Sequence, residues 1–215
     1  GTAAGGGAEA GVEAEMLRTQ SGSAGYHRFL LALGEFLPLA RAGDEIFTGG
    51  LDKSENMRDG RLALYWRNGM TQVIYFVATL MPNEPSTEQV NKKRFIGNTF
   101  VKVIYFDSDS VVADEAFGLD QLSGQFNLVV LLVVPVGQGF YRVRVLRQPM
   151  VPSMGPIEDV GLLPESALAM VVRSLLIDGD VASMMAAANG NYSSNWQERL
   201  RQLRQIVLRF TLPPR

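Results

Sequence analysis

Asn98 is an uncharged side chain with hydrogen-bonding capacity at the boundary between a polar segment and an apolar one. Residues 91–100 read NKKRFIGNTF, so three cations precede the Gly-Asn pair and a β-branched, aromatic stretch follows it. A carboxamide both donates and accepts hydrogen bonds without titrating, so Asn98 is a candidate for polar chemistry that does not depend on pH. The alternative is structural, because asparagine tolerates the left-handed backbone conformation that often ends a helix.

A helix predicted over residues 85–98 would carry Asn98. Ser86 or Thr87 can cap its start, the three cations lie late in it, and Gly97 can end it. Only three residues after Pro85 are apolar, so this helix cannot bury a broad stripe and must lie mostly on the surface. Helical spacing places Asn98 on one face with Asn91, Arg94 and Phe95.

Strand and helix patterns surround this segment. Strands are predicted over residues 62–66, 71–81, 99–106, 125–136 and 140–147, and Asn68-Gly69 suits a type I′ hairpin turn. Helices are predicted over residues 25–38, 164–177, 180–188 and 194–209. The predicted fold class is therefore α/β, with a central, mixed and mostly buried β-sheet flanked by helices.

The start of the chain has a different composition from the rest. Residues 1–22 are rich in Gly, Ala and Glu and show no apolar period, which predicts a flexible segment or a cut edge. Residues 23–215 are predicted to form a single domain. The chain does not begin with Met, and we interpret it as a fragment of a longer protein.

Composition disfavours several kinds of site. The chain has no cysteine, and its one histidine, His27, lies in a predicted amphipathic helix, so thiol nucleophiles and histidine-cluster zinc sites are not expected. The acidic residues between Asp107 and Glu115 lack EF-hand spacing, and we expect no metal site. A net charge of −2 gives no basic field for nucleic acid. No apolar run is long enough to span a bilayer.

Three stretches resemble the Rap/Ran-GAP family. KKRFIGNTFVKVIY (92–105) resembles the family signature around its catalytic helix. QVIYFVATLMP (72–82) resembles the preceding strand, and SGQFNLVVLLVVP (123–135) resembles the following central strand. The resemblance covers roughly residues 22–209 and implies the family's fold and its GTPase-activating activity.

The resemblance implies an asparagine thumb, a carboxamide that a GTPase-activating protein inserts into a small GTPase. The match places this catalytic residue at Asn98, where the amide would orient the attacking water. Lys93 matches a family lysine that would pair with acidic residues of the GTPase or hold the helix in place. The other residues expected at the GTPase interface are Lys92 at its rim, Arg94 in a docking or structural role, Phe95 and Asn91.

Two positions depart from the family pattern. Phe95 stands where the family usually has His, and Thr99 stands where it usually has Asp. Phe95 can position the helix or fill a contact, but it cannot act by charge or proton transfer. The amide of Asn98 would therefore carry the chemistry, and a weakened or silent domain stays an alternative.

The partner implied by the resemblance is a Rheb-like small GTPase that holds GTP and Mg²⁺ itself, so no cofactor is expected on this chain. For the full-length protein, the resemblance implies hamartin as a partner, restraint of target-of-rapamycin signalling, and a cytoplasmic location with recruitment to the lysosomal or vacuolar membrane. The alternatives are a GTPase-activating domain for Rap or Ral, a catalytically silent GTPase-binding scaffold, and a peripheral membrane module that uses the arginines of residues 199–209.

Overall fold

The computed structural model describes residues 6–85, 89–107, 115–154, 160–188 and 195–211. The helices are α1 (Gly6–Arg18), α2 (Ala24–Leu33), α3 (Val90–Lys92), α4 (Glu165–Ala187) and α5 (Asn195–Thr211). The strands are β1 (Glu35–Pro38), β2 (Leu62–Arg67), β3 (Gln72–Tyr75), β4 (Val101–Tyr105), β5 (Val129–Gly137), β6 (Phe140–Arg147) and β7 (Val160–Pro164). The predicted α/β class is confirmed.

The strands form two sheets rather than one. The first is antiparallel with the order β1-β2-β3, and the second has the order β4-β5-β6-β7. In the second sheet β4 and β5 are parallel, whereas β5-β6 and β6-β7 are antiparallel, so this sheet is the mixed one that the sequence predicts.

The main core lies between the second sheet and helices α2 and α4. The six residues from Val129 to Val134 in β5 are fully buried, as expected for a strand covered on both faces. Phe29, Leu30 and Leu33 of α2 pack into the same cluster. The buried central strand predicted over residues 125–136 is therefore confirmed from Val129 onward, and its neighbour β4 fixes the chain directly after Asn98.

One predicted helix end and one predicted turn type differ from the structure. The helix predicted over 25–38 stops at Leu33, since Gly34 is extended and a Cβ there would lie 2.4 Å from the carbonyl oxygen of Tyr65. Neither Asn68 nor Gly69 has a positive φ, so the hairpin is not type I′. Instead, the Asn68 side chain accepts the backbone N–H of Thr71 at 2.7 Å and that of Met70 at 2.9 Å.

The last part of the chain also differs from the prediction. A single helix, α4, runs through Asp178 and Asp180, where the sequence indicates a turn between two helices. Gly179 lies inside this helix where the helix packs closely on Met154, because a Cβ at this position would lie 3.2 Å from Sδ of Met154. The strand β7 falls at the end of a predicted loop. Among the described residues, no helix is long and apolar enough to span a membrane.

Helix α1 is the largest departure from the sequence prediction. Residues 6–18 form a helix where a flexible segment is expected. Glu13 and Leu17 are buried on the domain, and Met16 packs against the small cluster that contains Phe117 and Leu122. The helix has little apolar periodicity of its own, so tertiary contacts rather than an amphipathic stripe hold it.

Candidate functional site

The segment that carries Asn98 is shorter and less regular than predicted. Gln89 has a left-handed backbone with φ of 48°, and α3 begins only at Val90. The buried Gln89 side chain donates to the carbonyl of Glu84 at 3.0 Å and accepts the N–H of Glu84 at 3.1 Å. The predicted capping residues at 86 and 87 lie outside the described residues. The helix predicted over 85–98 is therefore confirmed only in its second half.

The helix ends in a π-helical turn, Lys93–Gly97, directly before Asn98. Asn98 has φ of −94° and ψ of 6°, a sparsely populated region that recurs at active sites, so the interpretation of a left-handed cap is wrong. Its Nδ2 donates to the carbonyl of Arg94 at 2.8 Å on an exposed surface. Within the described chain, no hydrogen bond to its Oδ1 is present, so the acceptor half of the amide faces solvent.

Phe95 faces the interior of the domain. It is 7% exposed, and its ring centroid lies 5.0 Å from that of Phe76. The Arg94 guanidinium lies over the ring, with its central carbon 4.5 Å from the centroid. The Phe95 ring belongs to the cluster of Leu39, Leu51, Ala63 and Met81 and anchors the segment there. Little of the ring is exposed for a direct contact with a GTPase, and that contact stays a prediction.

Asp59 anchors one flank of the segment. This carboxylate is 1% exposed and accepts the Nδ2 group of Asn91 at 2.8 Å and the backbone N–H of Asp52 at 2.8 Å. Arg94 reaches the same carboxylate at 3.5 Å while its side chain stays 53% exposed. Asn91 is thus turned toward Asp59, and Arg94 is the cation of the set with the most exposed surface. Sequence reasoning did not single out Asp59.

Lys92 is fully buried, which differs from its expected place at an interface rim. Its ammonium donates to the carbonyl of Leu17 at 2.7 Å and to Oδ1 of Asn83 at 2.6 Å. Burial penalises the charged form of this ammonium and lowers its pKa. Both of its partners are neutral oxygens and bring no compensating charge. Lys92 is therefore enclosed by the domain and ties α3 to α1.

Lys93 lies on the side of the segment that faces α1. Its ammonium is 3.7 Å from Oε2 of Glu13, and its side chain is 35% exposed. The Ser123 hydroxyl donates a short hydrogen bond to the same carboxylate. On β4, the buried Lys102 donates to the carbonyl of Thr99 at 2.6 Å. Burial lowers the pKa of Lys102 to about 8, and the Glu13 charge partly offsets that shift.

These contacts divide the predicted site residues into two groups. Asn98 and Arg94 are exposed, Lys93 is partly exposed, and Phe95 and Lys92 are buried beneath them. Sequence reasoning missed Glu13, Asp59 and Lys102, whose carboxylates and ammonium fix the segment from below. Within the described residues, no group of three or more His, Asp or Glu side chains could hold a metal ion. The arrangement leaves one amide and two nearby cations accessible on the surface of the segment.

The comparison with known proteins identifies a family. The family model described as Rap/ran-GAP matches residues 16–205 of this chain. The Tuberous sclerosis 2 protein homolog of Schizosaccharomyces pombe is 30% identical over 210 residues, covering 92% of this chain and 15% of that protein. Ral GTPase-activating protein subunit alpha-1 of Rattus norvegicus is 27% identical over 192 residues, covering 89% of this chain and 9% of that protein. The chain thus spans a small part of these relatives.

A solved structure of the TSC2 GAP domain is also similar, with a TM-score of 0.70 and 32% identity. The matched region spans 81% of this chain and 91% of the chain in the solved structure. Four stretches, GGLD (49–52), ATLMP (78–82), GQFN (124–127) and YSSNWQERLRQLRQ (192–205), independently resemble tuberin, the TSC2 protein. The sequence resemblance, the match over residues 16–205 and the shared fold agree, and the chain belongs to the Rap/ran-GAP family.

Proposed function

We propose that this chain is a GTPase-activating domain that inserts Asn98 into the nucleotide site of a Rheb-like small GTPase. The observation that carries the proposal is the placement of Asn98: an exposed amide at the end of a helical turn whose underside is anchored by buried Phe95 and Asp59. An anchored backbone with an accessible side chain is what insertion into a second protein requires.

The amide suits the chemistry of GTP hydrolysis. Its oxygen can accept a hydrogen bond from the attacking water, and its Nδ2 group can donate to a phosphate oxygen after exchanging its bond to the Arg94 carbonyl. That exposed bond costs little to exchange, because water or phosphate replaces it. An arginine finger supplied by other GTPase-activating proteins accelerates hydrolysis about 10³–10⁵-fold, or about 4–7 kcal/mol of barrier, and this sets the scale expected for assistance by the amide.

Arg94 and Lys93 fit supporting roles at the interface. Arg94 has the larger exposed surface, and its guanidinium is held over Phe95, so it can meet an acidic residue of the GTPase with little loss of freedom. Lys93 already faces Glu13, which favours the holding role over docking. GTP and Mg²⁺ are expected on the GTPase, where Mg²⁺ contacts the phosphates.

The choice of a Rheb-like partner rests on similarity to the TSC2 GAP domain and to the tuberous sclerosis 2 homolog. The same resemblance supports hamartin as a partner of the full-length protein, and a role in target-of-rapamycin signalling at lysosomal or vacuolar membranes. A Ral GTPase is the second candidate, because Ral GTPase-activating protein subunits are also similar to most of this chain. The Phe95 and Thr99 departures leave a silent GTPase-binding domain as the remaining alternative.

A single-turnover assay tests the proposal. GTP-loaded Rheb, Rap and Ral proteins are each mixed with increasing amounts of the domain, and phosphate release is followed. We expect strong stimulation of Rheb and weaker stimulation of the others. Stimulation of Ral alone would favour the second candidate. Binding to a GTPase without acceleration of hydrolysis would support the silent domain and reject the catalytic assignment of Asn98.

A further inference from the structure

The carboxylate of Glu13 is buried although α1 lies at the edge of the domain. Glu13 is 6% exposed, its Oε2 lies 3.7 Å from the Lys93 ammonium, and Ser123 donates a hydrogen bond to it. A buried carboxylate is costly unless charges and donors compensate it. The groups that compensate the Glu13 carboxylate are the Lys93 ammonium, in the segment that carries Asn98, and the Ser123 hydroxyl.

Lys102 supports the other end of the segment. It is 8% exposed and donates to the Thr99 carbonyl at 2.6 Å, one residue after Asn98. The charge of Glu13 favours the protonated form of Lys102 and counters the effect of burial on its pKa. Glu13 therefore contacts the segment directly at Lys93, where the π turn begins. Its charge also favours the protonated form of Lys102, which holds the other end at the Thr99 carbonyl.

The segment between these two ends depends on such external support. The backbone N–H groups of Asn98 and Thr99 make long hydrogen bonds of 3.2 and 3.4 Å to the carbonyls of Phe95 and Ile96. π-helical turns are rare, and the side-chain bond from Asn98 to Arg94 is exposed to competing water. Local hydrogen bonding alone therefore fixes the position of the Asn98 amide weakly.

We propose that Glu13 is a positioning residue for Asn98, and that its buried carboxylate holds residues 93–99 in place through Lys93 and Lys102. The inference rests on the proposed function of Asn98. It assigns the helix α1, which the sequence indicates as a flexible segment, to the machinery that sets the amide geometry. A displacement of about 1 Å can cost up to 10²-fold in rate, so loss of this support lowers turnover rather than docking.

The variant Glu13→Gln removes the charge and keeps the shape, and Glu15→Gln makes the same change at an exposed position of the same helix. Single-turnover hydrolysis is measured against domain concentration. We expect Glu13→Gln to lower the maximal rate about tenfold and to change the half-saturating concentration less than about twofold. Glu15→Gln should match the wild type in both. A raised half-saturating concentration at unchanged maximal rate would overturn the positioning role.

The pH profile gives a readout that general destabilisation does not move. Without the carboxylate, the pKa of Lys102 falls further below about 8, because the charge that favoured its protonated form is gone. We expect the maximal rate to fall at alkaline pH as Lys102 loses its proton, and this fall should begin at lower pH in Glu13→Gln than in wild type and Glu15→Gln. Coincident profiles after subtraction of intrinsic GTPase activity would contradict the inference.

Amide hydrogen exchange tests the inference without any GTPase. The backbone N–H groups of Asn98 and Thr99 should exchange about tenfold faster in Glu13→Gln than in Glu15→Gln, since local opening becomes easier. If Glu13→Gln does not fold, Ser123→Ala can be used instead, because it removes a hydrogen bond to the same carboxylate. Its Asn98 and Thr99 amides should also exchange faster than those of Glu15→Gln. Unchanged exchange in the folded variant overturns the inference. Failure of the proposed function would give a different result, because Asn98→Ala would then stimulate GTP hydrolysis as strongly as the wild type.

Discussion

The Lys92 ammonium of α3 and the Leu17 carbonyl of α1 form a hydrogen bond of 2.7 Å inside the domain. Asn83 supplies the second acceptor of Lys92 and, through its Nδ2 group, also donates to the carbonyl of Arg18 at 2.8 Å. The end of α1 is thereby joined to the segment that presents Asn98. Helix α1, which the sequence predicts as a flexible segment, therefore supports the segment that carries Asn98.

Removal of residues 1–18 tests that relationship. The deletion exposes the surface covered by Leu17 and leaves Lys92 with one acceptor. Loss of a buried leucine and of this hydrogen bond costs on the order of 3–5 kcal/mol. At about 2–4 °C per kcal/mol for a domain of this size, we expect the melting temperature to fall by at least about 6 °C. Deletion of residues 1–5 is the matched control, and an equal melting temperature for both deletions would show that α1 contributes nothing.

Ionic strength separates Lys93 from Arg94. Glu13, the partner of Lys93, is buried, whereas more than half of the Arg94 side chain is exposed. The effect of Arg94→Ala on stimulation should therefore shrink as salt is added, because exposed charge pairs are screened. The effect of Lys93→Ala should persist at all salt concentrations. Measurement of single-turnover rates from low to high salt checks both variants, and the reverse pattern would make Lys93 the docking cation.

Phe95→His restores the residue that the family usually has at this position. Because Phe95 is buried against Phe76, the polar ring should lower the free energy of unfolding by about 1–3 kcal/mol. The hydrolysis rate of the folded protein should change only a few-fold, about 0.5–1 kcal/mol, since an imidazole at this site faces the interior. Urea unfolding and single-turnover hydrolysis measure the two effects. A rate increase of about a hundredfold would instead assign the chemistry to the imidazole.

The lowered pKa of the buried Lys102 ammonium should make the free energy of unfolding depend on pH. Its pKa is lowered to about 8 in the folded chain, whereas a free lysine has a pKa of 10.5. Between these values the unfolded chain binds more protons, so the wild type should gain stability relative to Lys102→Met as pH rises from about 8 to 10.5. The gain should be at most about 3 kcal/mol. Urea unfolding of both proteins across this range checks it, and parallel curves would show that Lys102 is not buried as a cation.

The sequence predicts best the elements whose residues have one environment along their whole length. Val129–Val134 is apolar without interruption and forms the central buried strand, and residues 140–147 form their strand with the predicted bounds. The position of Asn98 at the end of a polar helical segment was also predictable, because Gly97 and the strand after it mark the boundary. The family follows from residues 92–105.

The sequence fails where distant residues decide the local structure. Glu13 and Leu17 carry no recognisable pattern, and only their contacts with Lys92, Lys93 and Ser123 make α1 part of the domain. The burial of Lys92 could not be read from NKKRFIGN, because adjacent lysines look alike until Asn83 and Leu17 approach one of them. Asp59 gave no signal either, since its donors come from residues 52, 91 and 94.

The most direct test of the account is single-turnover GTP hydrolysis on a stimulated GTPase with wild type, Asn98→Ala and Asn98→Asp. Asn98→Asp keeps the shape but cannot donate to phosphate and brings a negative charge toward it. Because Asn98 is exposed, both variants should melt within about 1–2 °C of wild type. We expect both to lose nearly all stimulation, at least about 10²–10³-fold. Near wild-type stimulation by Asn98→Ala would contradict the account.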